Sequence, residues 1–71
     1  MKYTFTAVIV KEDKFYVAHC PELGIASQGE VFQESLENLR EAIELFLQDE
    51  DPSQLNLLAN PPVITTVEVA I

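Results

Sequence analysis

Val31-Phe32-Gln33-Glu34-Ser35-Leu36-Glu37-Asn38-Leu39-Arg40-Glu41-Ala42-Ile43-Glu44-Leu45-Phe46-Leu47-Gln48 is the stretch whose reading decides the fold. Phe32, Leu36, Leu39, Ile43, Phe46 and Leu47 recur at spacings of 4, 3, 4, 3 and 1, the repeat of one helical face. Gln33, Glu34, Glu37, Asn38, Glu41, Glu44 and Gln48 fall on the other side. The segment predicts an amphipathic helix with a single apolar stripe. Val31 has no side-chain acceptor for a capping box, but Glu30 and Glu34 suit the positive end of the helix dipole. Past Gln48, Asp49-Glu50-Asp51 sets three negative charges at the negative end, and Pro52 enforces the stop.

Upstream of that helix the period is two. In residues 2–10, Tyr3, Phe5, Ala7 and Ile9 alternate with Thr4, Thr6, Val8 and Val10, and the β-branched and aromatic content makes this a strand. Lys11-Glu12-Asp13-Lys14 reads as a hairpin turn, its type undetermined without an Asn-Gly pair. Residues 15–20 form a second strand, with Phe15, Val17 and His19 opposite Tyr16, Ala18 and Cys20. Pro21 ends that ladder because it has no N–H to donate, and Gly24 supplies the positive φ of the next turn. Residues 25–28 make a short third strand closed by Gly29.

Downstream, Leu55, Leu57 and Leu58 form a short turn or lie over the sheet edge, and Pro61-Pro62 is a rigid extended entry to the last segment. Residues 63–71 alternate again, with Val63, Thr65, Val67, Val69 and Ile71 on one face, and predict a final strand. The expected fold class is α+β: a two-layer β-β-β-α-β arrangement, an antiparallel meander plus a final strand with one helix packed on the sheet. Val8, Val10, Tyr16 and Ile64 are expected on the other sheet face, to be covered by a partner chain.

At 71 residues the chain is expected to be a single domain. Four basic and 12 acidic side chains give a net charge of −8, which disfavours nucleic acid and anionic membranes but leaves a basic protein partner open. The longest apolar runs are too short to span a bilayer, and residues 3–6 alternate where a leader would be apolar. One cysteine excludes an internal disulfide and suits a reducing cytoplasm. A lone core below roughly 70–80 residues supplies only ~3–5 kcal/mol, so a homo-oligomer, dimer or tetramer, is expected. Its interface is placed at Val63, Thr65, Val67 and Val69, because the last strand carries only Glu68 as a charge against edge pairing.

The segment His19-Cys20-Pro21-Glu22-Leu23-Gly24-Ile25-Ala26-Ser27-Gln28-Gly29-Glu30, followed by Glu34-Ser35-Leu36-Glu37-Asn38-Leu39-Arg40-Glu41-Ala42-Ile43, resembles the HicB-like family of antitoxins and antitoxin-like proteins. The resemblance implies a partial RNase H fold in the element order read above. It also implies that the chain masks a small basic HicA-type toxin, of double-stranded-RNA-binding-like fold, that cleaves mRNA. Family members usually add a C-terminal DNA-binding segment. None is expected within residues 1–71, so operator binding by this chain alone is not expected. Val31 stands where the family commonly has Ser or Thr, which bears on helix capping. An orphan homo-oligomeric domain that binds a small ligand or another protein is the alternative.

An RNase H-type nuclease needs carboxylates converging on two metal ions, one of them on the first strand, and residues 2–10 hold no Asp or Glu. No catalytic residue, metal or cofactor is therefore expected. His19 and Cys20 are adjacent on a strand and point to opposite faces, which rules them out as a nucleophile pair and leaves a small buried Cys beside an edge His. Glu34, Glu37, Glu41 and Glu44 form an acidic stripe on the exposed helix side, with Arg40 within reach of Glu37 and Glu44. The stripe is either a solvated face or the electrostatic mate of a cationic toxin. Glu22, in the turn, is the further residue expected to meet the partner.

Overall fold

A computed structural model of the chain describes residues 4–49 and 63–71. The alternating first part of the sequence becomes three strands, β1 (Val8–Glu12), β2 (Phe15–Cys20) and β3 (Ile25–Gly29), followed by the helix α1 (Phe32–Gln48). The sheet is an antiparallel meander of order β1-β2-β3 with α1 packed on one face, an α+β fold. Val8 pairs with His19 and Glu12 with Phe15, so the first hairpin turns on Asp13 and Lys14 alone. Asp13 takes a φ of 54°, the left-handed conformation that a two-residue loop demands and that Asp tolerates better than most residues.

The register assigns each residue to a face. Ile9, Ala18 and Ser27 form one row beneath the helix, and Lys11, Tyr16 and Gly29 the next. Val8, His19 and Ala26, then Val10, Val17 and Gln28, form rows on the opposite face. Tyr16, expected on the uncovered face, lies on the helix side, where its ring meets Phe32 edge-on at 6.4 Å between centroids. Val8 and Val10 stand on the uncovered face as expected, and Phe15 joins them there, Val10 and Phe15 each more than two-fifths exposed.

Helix α1 is not centred on the sheet. It packs chiefly against β3, less against β2 and only marginally against β1. Two local features pull it to that side. Gly29 comes so near the helix start that an added Cβ would meet Ser35 N at 2.5 Å, and Asn38 Nδ2 donates to Gln28 O at 2.8 Å. Ser35 is fully buried there, its hydroxyl donating to Phe32 O at 2.7 Å. Ala18, Cys20 and Leu39 form the buried centre, with Phe5, Ile9, Leu23, Ile25 and Ile43 partly buried around it. It is a small core, in keeping with the size argument.

The helix starts as expected without a side-chain cap at Val31. Glu34 Oε1 instead accepts the N–H of Glu30, one residue ahead of the N-cap, at 2.8 Å, which still ties the approaching chain to the first helical turn. Its last residue, Gln48, is followed by Asp49 as C-cap.

The final strand expected over residues 63–71 is not formed. These residues carry no regular secondary structure and every one is exposed. Alternation specifies two faces, but a strand exists only when its N–H and C=O groups find a neighbouring edge, and among the described residues β1 pairs with β2 alone. The first strand is also shorter at its start than expected, because the pairing register begins at Val8 opposite His19 and Pro21 turns the chain away just beyond. Lys2 and Tyr3, the charges at Glu50 and Asp51, the Pro52 stop, the leucines at 55, 57 and 58, and Pro61-Pro62 lie outside the described residues.

Candidate functional site

The four glutamates of the acidic stripe differ in what they have left to offer. Arg40 sits between two of them, its guanidinium 3.1 Å from Glu37 Oε2 and 2.6 Å from Glu44 Oε1. These side chains are roughly half exposed or more, so the ladder is a solvent-facing arrangement that fixes geometry more than it stabilises. The Glu37 hydrogen bond, with the charges of Glu37, Glu44 and Glu41, holds the Arg40 guanidinium still more firmly protonated than usual. Glu34 is engaged with the Glu30 N–H at the helix start. Glu41 is exposed and makes no ion pair among the described residues. The stripe therefore presents an ordered Glu37–Arg40–Glu44 triad beside an uncommitted carboxylate.

Glu22 is placed differently from the surface role expected of it. Its carboxylate turns inward and accepts from Thr6 N–H at 3.1 and 2.9 Å and from Thr6 O–H at 2.7 Å. The Cys20 thiol, 3.6 Å away, donates to the same group. Burial opposes ionisation of Glu22, but the hydrogen bonds from Thr6 and Cys20 outweigh it and hold the carboxyl below its ordinary range. Glu22 thus ties the second turn to the chain ahead of β1. The turn itself closes on Cys20 O, which accepts from Leu23 N and from Gly24 N, with Gly24 at φ 68°.

His19 and Cys20 diverge as strand neighbours must: His19 is exposed and Cys20 is buried beneath the helix. Burial, opposed in part by a backbone hydrogen bond from Leu23, pushes the Cys20 thiol up, and the Glu22 carboxylate pushes it further. A thiol so placed is a packing group and a poor nucleophile. Among the described residues no three His, Cys, Asp or Glu side chains gather to hold a metal ion. No helix among them is long and apolar enough to cross a membrane.

The off-centre helix opens a feature that the sequence reading did not foresee. A groove of about 490 Å³ runs between α1 and the β1 side of the sheet, with a floor of Phe5, Ala7, Leu36, Leu39, Ile43 and Leu47. The Glu37–Arg40–Glu44 triad forms its rim. One signal for it was present in the sequence. With β2 ended by Pro21, the alternation of residues 4–7 runs on past its neighbouring strand, so Phe5 and Ala7 face the helix layer with no described strand on either side of them. Val63, Thr65, Val67 and Val69, the expected oligomer contacts, are exposed and do not line the groove.

The chain is 42% identical over 66 residues to a UPF0150 protein of Helicobacter pylori, covering 90% of this chain and 92% of that one. It is 46% identical over 48 residues to a UPF0150 protein of Synechocystis sp., covering 65% of this chain and 61% of that one. No family model matches the sequence. No solved structure matches it.

Proposed function

The chain belongs to the UPF0150 family, and from that membership we propose that it is a non-enzymatic, HicB-like antitoxin or antitoxin-like protein that binds and masks a small basic HicA-type toxin in the cytoplasm. The observation that carries this reading is the acidic face of α1. On a chain of net charge −8, a rigid helix presents the Glu37–Arg40–Glu44 triad and exposed Glu41 to solvent. A toxin that cleaves RNA must display cations to hold phosphate, and the same cations are what an acidic helix recognises. Masking is then steric and electrostatic: the carboxylates take the place of the RNA backbone, and steering by opposite net charges speeds encounter.

The HicB-like segment also has a coherent physical role in this fold. Its Pro-Glu-Leu-Gly turn is fastened by Glu22 to Thr6, its Gly29 admits the helix start, and its Glu-Asn-Leu-Arg-Glu-Ala run supplies Asn38, Leu39 and the charge ladder. A second reading, an orphan homo-oligomeric domain that binds a small ligand or another protein, draws on the apolar groove beside β1.

The test of the lead reading is genetic. A small basic protein encoded beside this gene arrests growth when expressed alone, and co-expression of this chain restores growth. Growth arrest that persists in the presence of the folded chain overturns the reading.

A further inference from the structure

Residues 63–71 and the groove beside β1 are complementary halves of one strand addition, and we propose that they meet between two copies of this chain. Each copy lays residues 63–71 along the β1 edge of the other and sets Val67 and Val69 into that copy's groove. The exchange is independent of whether a toxin partner exists.

The receiving side has a backbone edge and an apolar floor in the right relation. β1 is the outer strand of the order β1-β2-β3, so its far edge offers N–H and C=O groups that pair with nothing described. Residues 4–7 lead into β1 beyond the reach of β2 without strand pairing of their own, and the run 4–12 equals 63–71 in length. Alternate side chains of a strand added there point into the helix layer, where Phe5, Ala7, Leu36 and Ile43 wait because α1 leans toward β3.

The donated side has the matching pattern. Val63, Val67 and Val69 are 86%, 85% and 72% exposed, and the sequence alternation sets them on one face with Thr65 and Ile71 when the segment is extended as a strand. Glu68, the segment's one charge, falls on the opposite face and stays in water when the valines are buried.

The occupant is a second copy because each chain carries both halves without joining them. The segment is exposed along its whole length in its own chain. Reciprocal exchange uses each segment and each groove once, so the pairing closes as a two-fold dimer. It also supplies the apolar burial that a centre of Ala18, Cys20 and Leu39 lacks. Two chains of −8 repel, so added salt tightens this dimer, the reverse of its effect on capture of a cationic partner.

The experiment mixes carbon-13-labelled and unlabelled full-length chains, refolds them together, and records light scattering behind size exclusion with isotope-filtered methyl NOEs. The expected result is twice the 8.0 kDa chain mass, with intermolecular NOEs from Val67 and Val69 to Ile43 and Leu36. V67D/V69D weakens the dimer at least tenfold while the helical circular dichroism persists, and T66K on the opposite face leaves it intact. A monomer at micromolar concentration overturns the proposal, whether its segment is free or docked in its own groove. So does a dimer that survives V67D/V69D or forms through the uncovered face of Val10 and Phe15.

Discussion

Gly29 and Ser35 approach so closely that a Cβ on the glycine would stand 2.5 Å from the serine backbone nitrogen. That approach seats the first turn of α1 on the end of β3 and sets the helix off-centre, which in turn opens the groove and fixes the direction of the acidic face. Both ends of the obstruction are backbone, so neither side can yield cheaply. Gly29→Ala is expected to cost about 2–3 kcal/mol, measured by urea denaturation, with a larger loss than Gly24→Ala if the packing and not the turn dominates. A cost below 0.5 kcal/mol contradicts the packing.

Glu22 makes acid stability a property of one turn. Its folded-state pKa is lowered from 4.5, so its contribution is fully present above 4.5 and is lost as pH falls through the lower folded value. Glu22→Gln is expected to cost about 1 kcal/mol at neutral pH, and the difference from wild type is expected to vanish under strongly acid conditions. Chemical denaturation across that pH range checks it; parallel curves for the two proteins refute it.

Cys20 should be slow to react. Its folded-state pKa is raised from 9.0, so the folded protein holds the proton where an unfolded chain releases it, and stability from this source declines as pH rises above 9.0. At slightly alkaline pH an aromatic disulfide reagent is expected to label the native thiol at least ~100-fold more slowly than the guanidinium-unfolded one, since labelling waits on local opening. Equal rates would show the thiol to be accessible.

How far the sequence reached depended on whether a feature was local. The 17-residue helix Phe32–Gln48, β2 and the meander follow from periods of 3.6 and 2 and from Pro21 and Gly24, because each is specified by neighbours in the chain. The last strand was not settled by its own pattern. Val63, Val67 and Ile71 alternate well, but pairing depends on an edge elsewhere in space. Asn38 reads as a solvent-side residue and the pattern assigns Ser35 to no side, and the latch of the one and the burial of the other arise only because Gln28 O and Gly29 come to meet them. Glu22 read as a surface acid since Thr6, its partner, lies 16 positions away.

The acidic face carries the functional account, and calorimetry tests it most directly. The proposed partner, a small basic protein sought in the neighbouring reading frame, is titrated into wild type and into E37K/E41K at low and at high salt. The account predicts a wild-type complex that weakens about tenfold or more with salt and a further loss of at least tenfold, ~1.4 kcal/mol, in the charge-reversed variant. Equal, salt-insensitive affinity for both proteins, or no complex at all, would contradict it.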